Sequence, residues 1–128
     1  MTLIDTSAWI HSLRPDGDPV VSARVKILLE SGEAAWCALV QLELWNGARG
    51  ERERHVMEEL AANLPSLAVD DAVWSTSCDL ARKARAQGHT VPATDLIIAG
   101  CACRHGVALE HADAHLEVIG TLIRRSPP

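Results

Sequence analysis

The stretch Met1-Thr2-Leu3-Ile4-Asp5-Thr6-Ser7-Ala8-Trp9 decides how the rest of the chain is read. Leu3 and Ile4, preceded by Thr2, form a short apolar run that ends abruptly in a carboxylate. Such a run reads as a buried strand closing at Asp5, after which Thr6 or Ser7 caps a helix beginning at Ala8. A carboxylate at the C-terminal end of a central strand lies where open α/β sheets keep their sites. Alone, Asp5 serves equally well as a turn residue or a helix cap. What matters is whether other acids reach the same place.

Outward from that stretch, strand-like and helix-like segments alternate. Residues 8–13 read as a short helix, broken by the turn-forming Arg14-Pro15-Asp16-Gly17-Asp18-Pro19. Within residues 20–30, Val21, Val25, Leu28 and Leu29 fall at helical spacing, and Ser31-Gly32 stops that helix. Residues 34–38 are a short apolar segment, the second strand. Residues 39–50 carry Val40, Leu44 and Gly47-Ala48 along one side, with Glu43 among apolar neighbours. Asn46-Gly47 is not a hairpin turn, because its flanks do not alternate. Residues 51–62 are an amphipathic helix with Val56, Met57, Leu60 and Ala61 on its apolar side, and 64–69 are a loop and a short strand. Asp70 or Asp71 caps a helix reaching about Gln87, with Val73, Trp74, Ser77, Leu80, Ala81 and Ala84 as its buried stripe. Arg82, Lys83 and Arg85 complement the dipole at its C-terminus, and Gly88 ends it.

After a loop over 89–94, residues 95–103 are apolar on every side and stop at Arg104-His105-Gly106, which predicts a central helix beginning at Asp95. Residues 107–109 are a short strand, 110–115 a polar loop, and 116–119 a last short strand or turn. A single domain over residues 1–122 followed by a short C-terminal tail over 123–128 is expected. The alternation implies an α/β fold, a parallel sheet between helices.

A chain of 128 residues is one domain, and at 48% hydrophobic residues it belongs with globular rather than disordered proteins. With no Phe or Tyr, the core must be aliphatic, helped by Trp9, Trp36, Trp45 and Trp74. No apolar run approaches a membrane span and no signal peptide is read, so a cytoplasmic location with no membrane partner is expected. The formal net charge of −5 does not advertise a nucleic-acid binder. Lys26 and Lys83 are the only lysines; the other basic residues are arginines, the better bidentate phosphate ligands. Cys37, Cys78, Cys101 and Cys103 make no CxxC pair and read as small buried hydrophobes.

Four acids sit where solubility does not need them: Asp5 ends the first strand, Glu43 lies in an apolar stretch, Asp95 opens an apolar helix, and Asp113 follows the strand at 107–109. If those two strands are parallel, Asp5 and Asp113 leave the same sheet edge, where helices that follow strands also begin. Each acid has a plainer reading: Glu43 as a helix surface residue, Asp95 as a cap or first-turn acid, Asp113 as a solvated loop residue. Clustered carboxylates repel, and a divalent cation resolves the conflict. Oxygen-only ligands suit Mg²⁺ or Mn²⁺, whose chemistry would be attack of water on a phosphodiester. No GxxxxGK motif for triphosphates occurs.

The pieces Leu3-Ile4-Asp5-Thr6-Ser7, Leu42-Glu43-Leu44 with Gly47, Pro92-Ala93-Thr94-Asp95-Leu96-Ile97-Ile98-Ala99 and His111-Ala112-Asp113-Ala114-His115-Leu116 occur in that order along nearly the whole chain. In order and spacing they resemble the PIN domain family, and more closely the VapC toxins of bacterial toxin–antitoxin pairs. The resemblance implies a three-layer α/β/α fold with a short parallel central sheet. It implies an endoribonuclease dependent on Mg²⁺ or Mn²⁺, with Asp5, Glu43, Asp95 and Asp113 at the family's acidic positions and Thr6 or Ser7 as a supporting hydroxyl. It further implies an RNA substrate, a homodimer, and a VapB-type antitoxin that covers or obstructs the acidic pocket. Leu116 departs from the family's usual Phe, and His115, at a position that varies, reads as a solvated loop residue. Arg14, Arg49, Arg52 and Arg54 are candidates for holding RNA, ahead of Arg82 and Arg85.

Two other classes compete. An aspartyl-phosphate phosphatase would want a second acid at position 7, which is Ser, and a receiver domain would want a lysine where neither Lys26 nor Lys83 stands. A catalytically degenerate PIN-like module that binds RNA or protein without cutting is the non-enzyme alternative, and the presence of all four acids argues against it.

Overall fold

The computed structural model of the chain describes residues 1–125. Leu3 and Ile4 are wholly buried because β1 (Thr2–Ile4) is an inner strand with a parallel neighbour on each side. One neighbour is β2 (Ala34–Cys37), all four residues of which are buried. The other is β4 (Ala108–Glu110), in register Thr2 to Ala108 and Ile4 to Glu110. The short β3 (Ser66–Leu67) lies beyond β2, so the parallel sheet has the order β3-β2-β1-β4. Strands buried on both faces need continuous rather than alternating apolar sequence, as Leu3-Ile4 and Ala34-Ala35-Trp36-Cys37 provide.

The connections are helical: α1 (Thr6–Leu13) and α2 (Pro19–Glu30) lead to β2, and α3 (Ala38–Asn46) and α4 (Gly50–Asn63) lead to β3. Then α5 (Asp71–Ala86) and α6 (Ala93–His105) lead to β4, and α7 (Ala114–Arg125) follows it. The chain steps outward from β1 to β2 to β3 and returns to the far side of β1. Right-handed crossovers therefore put α1–α4 on one face and α5 and α6 on the other. The packing agrees: α1 lies against α2 and α3, whereas α5, α6 and α7 pack on one another. The result is the expected α/β/α sandwich. Its core holds Trp9 and Trp36 edge to face, ring centroids 6.2 Å apart. No helix among the described residues is long and apolar enough to cross a membrane.

Several local expectations are corrected. Helix α1 begins at Thr6, not Ala8, because Asp5 itself is the N-cap and its side chain accepts the Ser7 N–H. Helix α6 begins at Ala93 after Pro92, which places Asp95 in the first turn rather than at the start. Residues 116–119 are neither strand nor turn but part of α7, started by Asp113 accepting from the His115 and Leu116 N–H groups. The polar loop shrinks accordingly to residues 111–113. Helix α7 runs through Arg125, and residues 126–128 of the expected tail lie outside the described residues. Trp74 is 52% exposed. It stands one position off the 73–77–80–84 row that α5 buries, about 100° round the helix. Cys37 and Cys101 are buried as expected, but Cys78 and Cys103 fall on the solvent sides of α5 and α6.

Gly100 is a point of close approach between α5 and α6. A Cβ there would lie 2.2 Å from the Ser77 hydroxyl, which is itself tied to the Val73 carbonyl at 2.8 Å. Gly100→Ala is expected to lower stability by about 2 kcal/mol through overpacking. Ser77→Ala in the same molecule should return part of the loss. Thermal unfolding of the two single variants and the double variant measures the coupling; simple additivity would mean that the two helices do not meet there.

Candidate active site

Asp5 is 3% exposed, and a charge so buried needs hydrogen bonds. Its Oδ2 receives two, from the Ser7 N–H at 2.9 Å and the Ser7 hydroxyl at 2.5 Å. The Ser7 hydroxyl in turn accepts the Ala112 N–H at 3.0 Å. The Asp5 N–H donates to the Glu110 carbonyl at 2.9 Å. Asp5 is thus held by its own helix start and by the end of β4.

Glu43 lies in α3, half-buried, and its Oε1 accepts the Thr6 hydroxyl at 2.8 Å. Asp113 leaves β4 and caps α7, its Oδ1 taking the His115 N–H at 2.8 Å and the Leu116 N–H at 3.2 Å. Three acids therefore engage the chain through one carboxylate oxygen each: Oδ2 of Asp5, Oε1 of Glu43 and Oδ1 of Asp113. Thr6 and Ser7 do separate jobs, one on Glu43 and the other on Asp5.

Asp95 reports that the four acids share one place. Its carboxyl is pushed up to about 6, first by burial, then by the negative charges of Asp113 and Asp5 and, more weakly, of Glu43, while His115 pulls it down. Like charges raise a carboxyl only at short range. Asp5, Asp113 and Glu43 thus all act on Asp95 at the carboxyl edges of β1 and β4. That is the topological switch point, where the chain leaves the sheet toward opposite faces. Among the described residues no three side chains already converge as a metal cage. Carboxylate oxygens are the donors that a hard, oxygen-seeking dication prefers.

Of the arginine candidates, Arg14 stands nearest this chemistry. It lines a cleft between α1, α3 and α4 together with Glu43 and Glu53, and it pairs with Glu53 at 3.6 Å. Arg54 and Arg82 are engaged within their own helices, with Glu51 and Asp79, and Arg85 donates to the Thr90 hydroxyl. His115 is exposed in the first turn of α7 and so is not a loop residue. Sequence reasoning missed Glu53, hidden in a mixed-charge run. It also missed the backbone groups of Glu110 and Ala112, which leave no mark in residue type.

The PIN domain family matches residues 2–122. The chain belongs to the PIN domain family. A VapC ribonuclease of Mycobacterium bovis, Mb1587, is 37% identical over 126 residues, which span 95% of this chain and 93% of that one. Ribonuclease VapC11 of Mycobacterium tuberculosis has the same identity and coverage. Ribonuclease VapC21 of that organism is 28% identical over 84% of this chain and 80% of its own. Among solved structures, FitAcB from Neisseria gonorrhoeae superposes with a TM-score of 0.70 at 20% identity, covering 94% of each chain. VapBC-1 from Haemophilus influenzae gives 0.69 at 19%, over 96% of this chain and 92% of that one. These two likenesses bear on the fold, which is the three-layer PIN arrangement.

The raised Asp95 carboxyl makes this PIN domain's metal-free stability depend on pH. Asp95 ionises at about 6 when folded against an ordinary 3.8. Between those values the folded state keeps a proton that the unfolded chain has lost, so stability falls as pH rises through that window and stays low above it. Asp95→Asn removes the penalty. Discounted for solvent reaching a half-buried group, the expected gain at neutral pH is roughly 1 kcal/mol, vanishing below about pH 4. Calorimetry of the metal-free protein and variant at acid and neutral pH reads this; a gain independent of pH would mean that Asp95 carries no such charge conflict.

Proposed function

We propose that this chain is an endoribonuclease that depends on Mg²⁺ or Mn²⁺ and acts as the toxin of a toxin–antitoxin pair. The observation that carries the reading is the field of Asp5, Glu43 and Asp113 on Asp95, in a PIN domain 37% identical to VapC ribonucleases over 95% of its length.

When bound, the cation supplies neutralising charge, acidifies a water and polarises a phosphate oxygen. Asp5 and Asp95 are its principal ligands in this reading, with Glu43 and Asp113 completing the charge. Ser7 fixes which Asp5 oxygen is engaged by the chain, and Thr6 does the same for Glu43. Helix α7 holds Asp113 through its first-turn N–H groups. These fixed bonds spare the carboxylates the reorganisation that would otherwise accompany binding of a phosphodiester. One of the acids orients the attacking water, and the phosphorus–oxygen bond opposite it breaks in the displacement. Arg14, beside Glu43, is placed to hold a neighbouring phosphate.

An antitoxin is the expected partner, and the structures that resemble this one include a member of the VapBC family of toxin–antitoxin systems from Mycobacterium tuberculosis. A groove along α4 offers a place for it. The cleft at Glu43 shares Leu13 and Glu53 with a cavity of about 130 Å³ that Trp9 lines. That cavity shares Leu29, Val56 and Leu60 with another of about 350 Å³ reaching Pro65. The Trp9 indole N–H is buried with no hydrogen-bond partner among the described residues. A homodimer is also part of the proposal, for which exposed Leu42, Trp45 and Trp74 are available apolar side chains.

The test is cleavage of a mixed RNA pool by the purified, antitoxin-free protein with Mg²⁺ or Mn²⁺. Cutting should cease in EDTA and in Asp5→Asn and Asp95→Asn, both of which should remain folded by circular dichroism. Cleavage that survives EDTA or both substitutions would overturn the reading. A folded protein that binds Mn²⁺ yet cuts nothing would favour the non-catalytic module.

A further inference from the structure

The site rests on a short stretch, residues 110–113, that no family motif accounts for in full. Glu110 ends β4 opposite Ile4. Its carbonyl takes the Asp5 N–H at 2.9 Å. Two residues on, the Ala112 N–H reaches the Ser7 hydroxyl at 3.0 Å, and that hydroxyl donates to Asp5. One residue further, Asp113 caps α7. The same stretch therefore sets the peptide and side-chain position of one acid and carries another.

What fixes this stretch sideways is an ion pair from a distant part of the chain. Strand β4 has three residues, and β1 is its one neighbour in the sheet. The Glu110 carboxylate accepts from the Arg24 guanidinium Nε, across 86 positions of sequence. Arg24 belongs to α2, which packs on α1, and α1 carries Thr6 and Ser7. The pair thus joins the helix unit that orients Asp5 and Glu43 to the strand end that holds Asp113.

We propose that Arg24 and Glu110 are positioning residues of the acidic site, locking the end of β4 to the α1–α2 unit so that Asp5 and Asp113 keep their relative placement. Neither is asked to touch RNA or the cation. The Arg24 side chain is about half exposed, so the pair adds little to stability. Its effect is geometric, and misplacement of a site by about 1 Å costs up to ~100-fold in rate.

This inference rests on the nuclease reading for its kinetic arm only; a second arm reads the metal-free chain directly. Arg24→Gln and Glu110→Gln should each speed amide exchange at Asp5 and Ala112 by about tenfold, followed by NMR. With Mn²⁺ and RNA, each should lower kcat by about tenfold at unchanged KM. Arg24→Lys, which keeps a charge for Glu110, should recover most of both effects, and melting temperatures should move by no more than a few degrees. Unchanged amide exchange would overturn the proposal whatever the cleavage assay gives. So would a raised KM at constant kcat, the mark of an arginine that contacts RNA, and so would loss of folding in either variant. If the wild-type chain cuts no RNA, the nuclease reading fails while the exchange measurement still decides this one.

Discussion

A buried negative charge at the end of β1 is the constraint to which the neighbouring structure answers. Asp5 cannot be withdrawn from water without donors, and α1 supplies them at once through Ser7. Three helix starts converge on the same edge. Asp5 caps α1, Asp95 lies in the first turn of α6 and Asp113 caps α7. Each helix N-terminus presents unpaired N–H groups and a partial positive charge. The fold thereby offsets part of the repulsion among the acids with backbone rather than with lysine or arginine. The offset is incomplete at Asp95, whose carboxyl stays well above the ordinary range. A bound cation would relieve the conflict that remains.

Much of the fold was legible because its strands are buried on both faces and its helices are punctuated. Leu3-Ile4 and Ala34-Ala35-Trp36-Cys37 have the continuous apolar character of inner parallel strands, and Ser31-Gly32 and Gly106 end their helices where expected. The misreadings have local physical causes. Sequence alone places the start of α1 too late because Thr6 and Ser7 are good caps, yet an aspartate just ahead of them caps better when its side chain can turn back on the Ser7 N–H. Residues 116–119 looked like a strand because Leu116, Val118 and Ile119 are a short apolar run, too brief for periodicity alone to separate strand from helix. The helix becomes visible only when Asp113 is read as a cap with Leu116 and Ile119 buried one turn apart.

The acids were legible for a different reason. Each is a carboxylate in a setting that does not need one, and their order along the chain matched a family pattern. Their mutual arrangement was not legible in the residues themselves. That Thr6 serves Glu43 and Ser7 serves Asp5 follows from α1 lying beside α3, a matter of packing. The Glu110 carbonyl and the Ala112 N–H contribute backbone alone, and any residue but proline could supply the latter. Glu110 in sequence is one more charge in a polar stretch, and nothing near it in the chain points to Arg24.

Glu43 joins the acidic edge to the groove along α4. It contributes to the field on Asp95 while also lining the cleft that Arg14 and Glu53 share. A basic group entering that cleft would neutralise charge at the same point that a cation would. Metal-loaded and partner-covered states would then be alternatives set by one carboxylate cluster, with no distant conformational change required. An acidic overall chain is compatible with both states. Its net charge of −5 is partly stored in a cluster that a cation or a basic partner would neutralise. Neutralising that cluster would lower the electrostatic cost to an approaching polyanion.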